Sequence, residues 1–133
     1  MSKDDDVFTR LFPHWEAEQR QRDMARLAEM QRNPVASRGR RDEGMDRVLQ
    51  GEERFVDQIF YLITRLPVGW IGIGEDIRIL ANELGVPEPH HPNCWGAAIN
   101  IAVKAGLLQR TNRTRQMTLA RSHARSSIEY ERI

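Results

Sequence analysis

Between His90 and Ser126 the chain places Lys104, Arg110, Arg113, Arg115, Arg121 and Arg125, with no acidic residue among them. Ammonium and guanidinium groups gathered in this way suit phosphate, because affinity for a polyanion comes from counterions released along a patch and not from net charge. The whole chain has 20 Lys+Arg against 19 Asp+Glu and a net charge of +1. The basic residues are therefore segregated: residues 90–133 carry +5 and residues 1–89 carry −4. An Arg-rich solvated face would give the same surplus, so charge alone does not define a site.

Spacing adds a second feature. Asn93 and Asn100 are seven residues apart and Lys104 lies four further on, which puts all three on one face of a helix. Asparagine can pair bidentately with adenine and lysine can reach guanine or phosphate, so this face has groove-reading chemistry. The structural alternative is that Asn93 caps the helix and Asn100 is simply solvated. His91, just before Pro92, could touch phosphate or accept a hydrogen bond at the helix start. Arg113, Arg115 and Arg121 are expected around a hairpin tip, where long side chains reach backbone phosphates or a minor groove. Arg125 joins them, although a returning Ser-His-Ala-Arg segment could instead pack His123 on the body.

Other chemistries find less support. His90, His91, Cys94 and His123 include good zinc ligands, but their spacing matches no zinc motif, and no metal or other cofactor is expected. Asp4-Asp5-Asp6 reads as a solvated terminus. Gly69, Gly72 and Gly74 lack the Gly-Lys-Ser/Thr ending of a phosphate loop, and Glu75-Asp76 fits the first turn of a helix better than acid–base work. With no nucleophile and base constellation, no catalytic residue is assigned and an enzyme is not expected. The single Cys94 excludes an intramolecular disulfide. No apolar run approaches the roughly 18–20 residues of a bilayer span, and the acidic start is unlike a signal peptide. A cytoplasmic protein with no membrane contact is expected.

The elements that must position these residues follow from periodicity. Val7, Phe8, Leu11, Phe12 and Trp15 form a helical stripe disturbed by Pro13, and residues 16–32 are good helix formers. Residues 33–41 carry Pro, Ser and Gly and read as a linker, dividing a helical arm (1–41) from a domain (42–133). Within the domain a helical region starts near Asp42, and Phe55, Ile59, Phe60, Leu62, Ile63 and Leu66 mark its core helix, ending before Pro67. Residues 68–74 suit a short extended segment, with Trp70, Ile71 and Ile73 bracing the core. Ile77, Leu80, Ala81 and Leu84 give a helix of about ten residues stopped by Gly85, and a third helix runs from Pro92 to the Ala105-Gly106 exit. Leu107-Leu108, Met117-Thr118-Leu119 and Ser127-Ile128-Glu129-Tyr130 are candidate strands, with a polar basic stretch from Gln109 to Gln116 between the first two. The fold class expected is mainly α, more fully α+β.

Helix, short strand, helix, turn, helix and terminal hairpin resembles the winged-helix version of the helix-turn-helix over roughly residues 53–133. That resemblance implies a C-terminal β-hairpin wing, an N-terminal helical extension, and residues 92–105 as the recognition helix. A closer resemblance rests on Arg41-Asp-Glu-Gly-Met45, His91-Pro-Asn-Cys-Trp-Gly-Ala97, Ala105-Gly-Leu-Leu108 and Ser122-His-Ala-Arg125. Together they are similar to small proteins of bacteriophages and prophages. In those, a His-Pro-Asn-Ala-x-Gly-like start precedes a helix ending in Gly-Leu-Ile, an Arg- and Ser-rich wing and Ser-His-Ala. The match covers about residues 40–132. It departs at Cys94, where a small apolar residue is usual, and leaves the first 40 residues outside.

The resemblance implies a DNA-associated protein of phage type, nucleoid-associated in a bacterial host, with double-stranded DNA as partner. Its DNA-binding residues would be His91, Asn93, Asn100, Lys104, Arg113, Arg115, Arg121 and Arg125. The role expected is in replication or transcription control, with the arm serving homodimerisation or recruitment of another protein. The competing expectation is a non-enzymatic protein–protein interaction module on the same scaffold.

Overall fold

Phe55, Val56, Ile59, Leu62 and Ile63 recur at helical spacing, and all five are buried along α3 (Glu53–Arg65). The helix stops where Leu66, forced to extended backbone by the following Pro67, donates its N–H to the carbonyl of Ile63. In this computed structural model, which describes residues 3–32, 49–117 and 125–133, the other helices among the described residues are α1 (Lys3–Leu11), α2 (Ala17–Arg32), α4 (Gly74–Glu83) and α5 (Asn93–Lys104). Strands β1 (Ile71–Ile73), β2 (Leu108–Gln116) and β3 (Ser126–Arg132) form an antiparallel sheet in the order β1-β3-β2.

Two helix exits explain how the chain turns so tightly. After α4, Gly85 takes φ +91° while the N–H groups of Gly85 and Val86 bond to the carbonyls of Asn82 and Ala81. After α5, Gly106 at φ +83° does the same with Val103, and Leu107 with Ala102. This is the Schellman arrangement, in which a left-handed glycine satisfies orphan carbonyls and aims an apolar residue inward. Leu108 accordingly lands in the core as the first residue of β2.

The N-terminal helices are not a detached arm. Phe8, Phe12, Trp15, Leu27 and Met30 belong to the same hydrophobic cluster as α3, α4 and α5. Polar ties reinforce the joint. Gln58 Nε2 donates to the carbonyl of Leu27 at 2.9 Å, Arg20 pairs with Glu83 on α4, and the buried Asp23 receives Tyr61 Oη at 2.9 Å and Arg65 Nε at 3.2 Å. Burial, aided by the neighbouring Asp23 carboxylate, raises the Tyr61 pKa above the usual phenol value. The linker expected at 33–41, the division at residue 41, the helical start near Asp42 and the 41–45 segment all lie outside the described residues. On either side of that gap the two parts share one core.

The hairpin differs from its expected boundaries. Gln109 to Gln116, read from sequence as a polar connection, is instead strand: β2 spans Leu108 to Gln116 and pairs with β3 on both sides of one irregularity. Its polar residues need no alternation because nearly all of them face solvent, and the ladder to β3 supplies the backbone partners. Three residues, Thr111 to Arg113, stand opposite Glu129 alone, with Asn112 at φ +67°. This is a bulge that bends the outer strand. Met117 donates its N–H to the Arg125 carbonyl at 2.7 Å; Thr118, Leu119 and His123 lie outside the described residues.

Candidate nucleic-acid interface

Helix α5 buries Cys94, Trp95, Ala97, Ala98, Ile99, Ile101 and Ala102. What remains is an exposed stripe of Asn93, Gly96 and Lys104, with Asn100 and Val103 half-buried. The helix is held by its inner face. Trp95 meets Phe55 edge to face with ring centroids 4.8 Å apart, and its indole N–H donates to Glu88 at 3.1 Å. Arg78 pairs with the same Glu88 and lies over the Trp95 ring. The Pro87-Glu88-Pro89 turn is thus tied to both helices it connects. Cys94 is buried beneath, which pushes its thiol pKa up and leaves it a packing residue.

The start of α5 resolves the alternatives left by sequence. Pro92 occupies the cap position, and the Asn93 side chain does not cap the helix. His91 Nδ1 accepts the Asn93 N–H at 3.1 Å, so its imidazole is used locally. His90 is likewise engaged, through Nδ1 to Glu52 at 2.7 Å and its backbone N–H to the same carboxylate oxygen at 3.0 Å. The Asn93 amide is exposed at the N-terminal end of the stripe.

Asn100 is met by Arg110, whose Nη2 donates to its Oδ1 at 2.9 Å across the junction of α5 and β2. Arg110 was part of the basic block but not among the residues singled out as contacts. Its position in the strand depends on the Gly106 turn, which periodicity alone does not orient. Arg113 is exposed at the bulge, and Lys104 is exposed in the last turn of α5.

Arg115 has another employment. Its two terminal nitrogens reach Asp76 Oδ2 and Glu129 Oε2, each at 3.1 Å. Both carboxylates are buried, and Thr111 Oγ1 also donates to Glu129 at 3.1 Å. Arg115 therefore straps the hairpin to α4. Asp76 sits in the first turn of α4 and accepts the Ile73 N–H at 2.9 Å, closing the helix start. Desolvation still raises its pKa, outweighing the backbone hydrogen bond and Arg115, which act to lower it. Arg121 lies outside the described residues. Arg125 is exposed and lines one groove with Asn93 at the α5 start, Asn100 and Lys104 follow Asn93 along the same helix face, and Arg113 is exposed at the bulge of β2.

A groove of about 440 Å³ opens on that side, lined from α5 by Asn93, Gly96 and Ile99 and from the hairpin by Met117, Ser127 and Tyr130. Gly96 is informative. Its backbone is helical, and a Cβ built there meets nothing within 4 Å. A glycine inside a helix costs about 1 kcal/mol relative to alanine, and among the described residues no internal contact requires it here. Among the described residues no group of three or more His, Cys, Asp or Glu is placed to hold a metal ion, and no helix is long and apolar enough to cross a membrane. Comparison of the chain with family models, with curated proteins and with solved structures finds no match.

Proposed function

We propose that this chain is a winged-helix protein of phage or prophage type that binds duplex DNA, acting in the bacterial cytoplasm in replication or transcription control. The reading is supported by the element order α3-β1-α4-α5-β2-β3, with the short β1 paired to the second hairpin strand. In a helix-turn-helix the second helix enters the major groove and flanking elements hold phosphates. Here that helix is α5, and the hairpin takes the place of the wing.

The observation that carries the proposal is the outer side of α5 and β2, two elements that contain no acidic residue of their own. Asn93 and Asn100 offer amides, while Lys104, Arg110 and Arg113 stand along the C-terminal end of the helix and the outer strand. The acidic residues near this side, Glu75, Asp76 and Glu129, are buried, and Arg115 pairs with the last two. Arg115 is a brace for the wing in this reading and not a phosphate contact.

Fluorescence anisotropy of a labelled duplex over a salt series tests it. Three phosphate contacts give a slope of about −2.7 in log affinity against log salt. Combined replacement of Lys104, Arg113 and Arg125 by Ala should flatten that slope with the fold intact. No binding at low salt would overturn the reading in favour of a protein-interaction module.

A further inference from the structure

Gly96 lies between Asn93 and Asn100 on the exposed stripe of α5, at the floor of the groove. Its glycine identity is needed neither for backbone conformation nor for packing among the described residues, since its Cβ position is open. A missing side chain on an otherwise well-packed helix is useful where something outside must come close. The flanking amides indicate what that is. Seven residues of helix span about 10 Å at roughly 1.5 Å each, close to three base-pair steps of about 3.4 Å. The rise from Asn93 to Asn100 thus has the length of three base-pair steps, and Gly96 lies between the two amides.

On the reading that α5 enters a major groove, we propose that this stripe selects A·T pairs, with the Asn93 amide on an adenine edge and the thymine 5-methyl of the next step seated over Gly96. The groove beside Gly96 has an apolar part, from Ile99, Met117 and Tyr130, that suits a methyl group, next to a charged part from Glu75, Arg78 and Arg125. Arg110 fixes the amide at the far end. By donating to Asn100 Oδ1 it engages the acceptor side, which leaves the Nδ2 donors for an acceptor on either kind of base pair, so the selection rests on Asn93 and Gly96.

The test uses the full chain and three labelled duplexes of equal length, alternating d(A-T), alternating d(A-U) and alternating d(G-C), at one salt concentration. The A-T duplex should bind at least about fivefold tighter than G-C, and about fourfold tighter than A-U, which lacks only the methyl group. In Gly96→Ala, where the new Cβ has open space within the protein, the thermal midpoint should rise while the A-T over A-U difference disappears. Equal binding of A-T and A-U, a G-C preference, or an undiminished methyl effect in Gly96→Ala would each overturn this inference while leaving DNA binding standing. Failure to bind any of the three would overturn the DNA reading itself, and this inference with it.

Discussion

Arg115 Nη1 and Asp76 Oδ2 meet at 3.1 Å, joining the outer strand of the hairpin to the first turn of α4 across 39 residues of sequence. The other arm of the same guanidinium holds Glu129 on the central strand. One planar side chain thereby ties both strands of the hairpin to the helices, beside the β1–β3 ladder and the Arg132 bond to the Ile63 carbonyl.

Replacing Arg115 by Ala should destabilise the fold by about 1–3 kcal/mol, because it strands two buried carboxylates. Arg115→Lys should recover only part of the loss, since one ammonium cannot bridge both acids as a guanidinium does. Urea unfolding of the three proteins checks this. A neutral effect of Arg115→Ala would show that the strap contributes nothing.

The Asp76 carboxyl carries a pH signature. Its folded pKa is raised above the ordinary aspartate value, so the native state binds the proton more tightly than the unfolded chain. Its contribution to stability is therefore fully present below the unfolded pKa and lost as pH rises through the folded one. The thermal midpoint of the parent minus that of Asp76→Asn should increase as pH falls through this window. A flat or opposite trend would mean that Arg115 and the Ile73 N–H outweigh desolvation.

Gly72 has no room for a side chain. A Cβ there would lie 2.7 Å from Asp76 Oδ2 and closer still to the Trp70 ring. Gly72→Ala should cost about 1–3 kcal/mol through forced repacking and should move the Trp70 fluorescence. The contrast with Gly96→Ala is a direct check, since the same substitution is expected to have opposite signs at the two positions.

Asp23→Ala should loosen α2 from α3. It leaves Tyr61 Oη and Arg65 without their buried acceptor, at a cost of about 1–3 kcal/mol. Limited proteolysis should then cut within residues 17–32 sooner than in the parent. An unchanged digestion rate would place the hold of α2 in Leu27 and Met30 alone.

Arg113→Ala should leave stability within about 0.5 kcal/mol, as expected for an exposed residue. It should reduce the salt slope of duplex binding by about 0.9, the share of one phosphate contact. Thermal melts beside the anisotropy series separate the two effects.

Much of the architecture is written in periodicities that survive folding. The α3 stripe, the short helix ending at Gly85 and the helix opening at Pro92 all lie where apolar spacing and Pro or Gly punctuation put them. Strand β2 escaped that reading because eight of its nine residues are polar, and its pairing is decided by β3, a long-range partner with no local trace. Arg115 illustrates the limit for the site. Its sequence neighbours, Thr114 and Gln116, are neutral, so nothing nearby announces that two carboxylates 39 and 14 residues away will claim it. Docking of α1 and α2 was similarly hidden, because a thin apolar side such as Leu27 and Met30 suits an isolated helix as well as a packed one.

The order β1-β3-β2 has a consequence for synthesis. The central strand is the last of the three to be made, so β1 and β2 have no ladder partner until Ser126 to Arg132 leave the ribosome. At about 5–20 residues per second, the roughly fifty residues between β1 and β3 keep the first strand waiting for several seconds. The helices can assemble meanwhile, but the sheet closes in a single late event. A premature stop before Ser126 would leave two orphan edges in place of a shorter sheet.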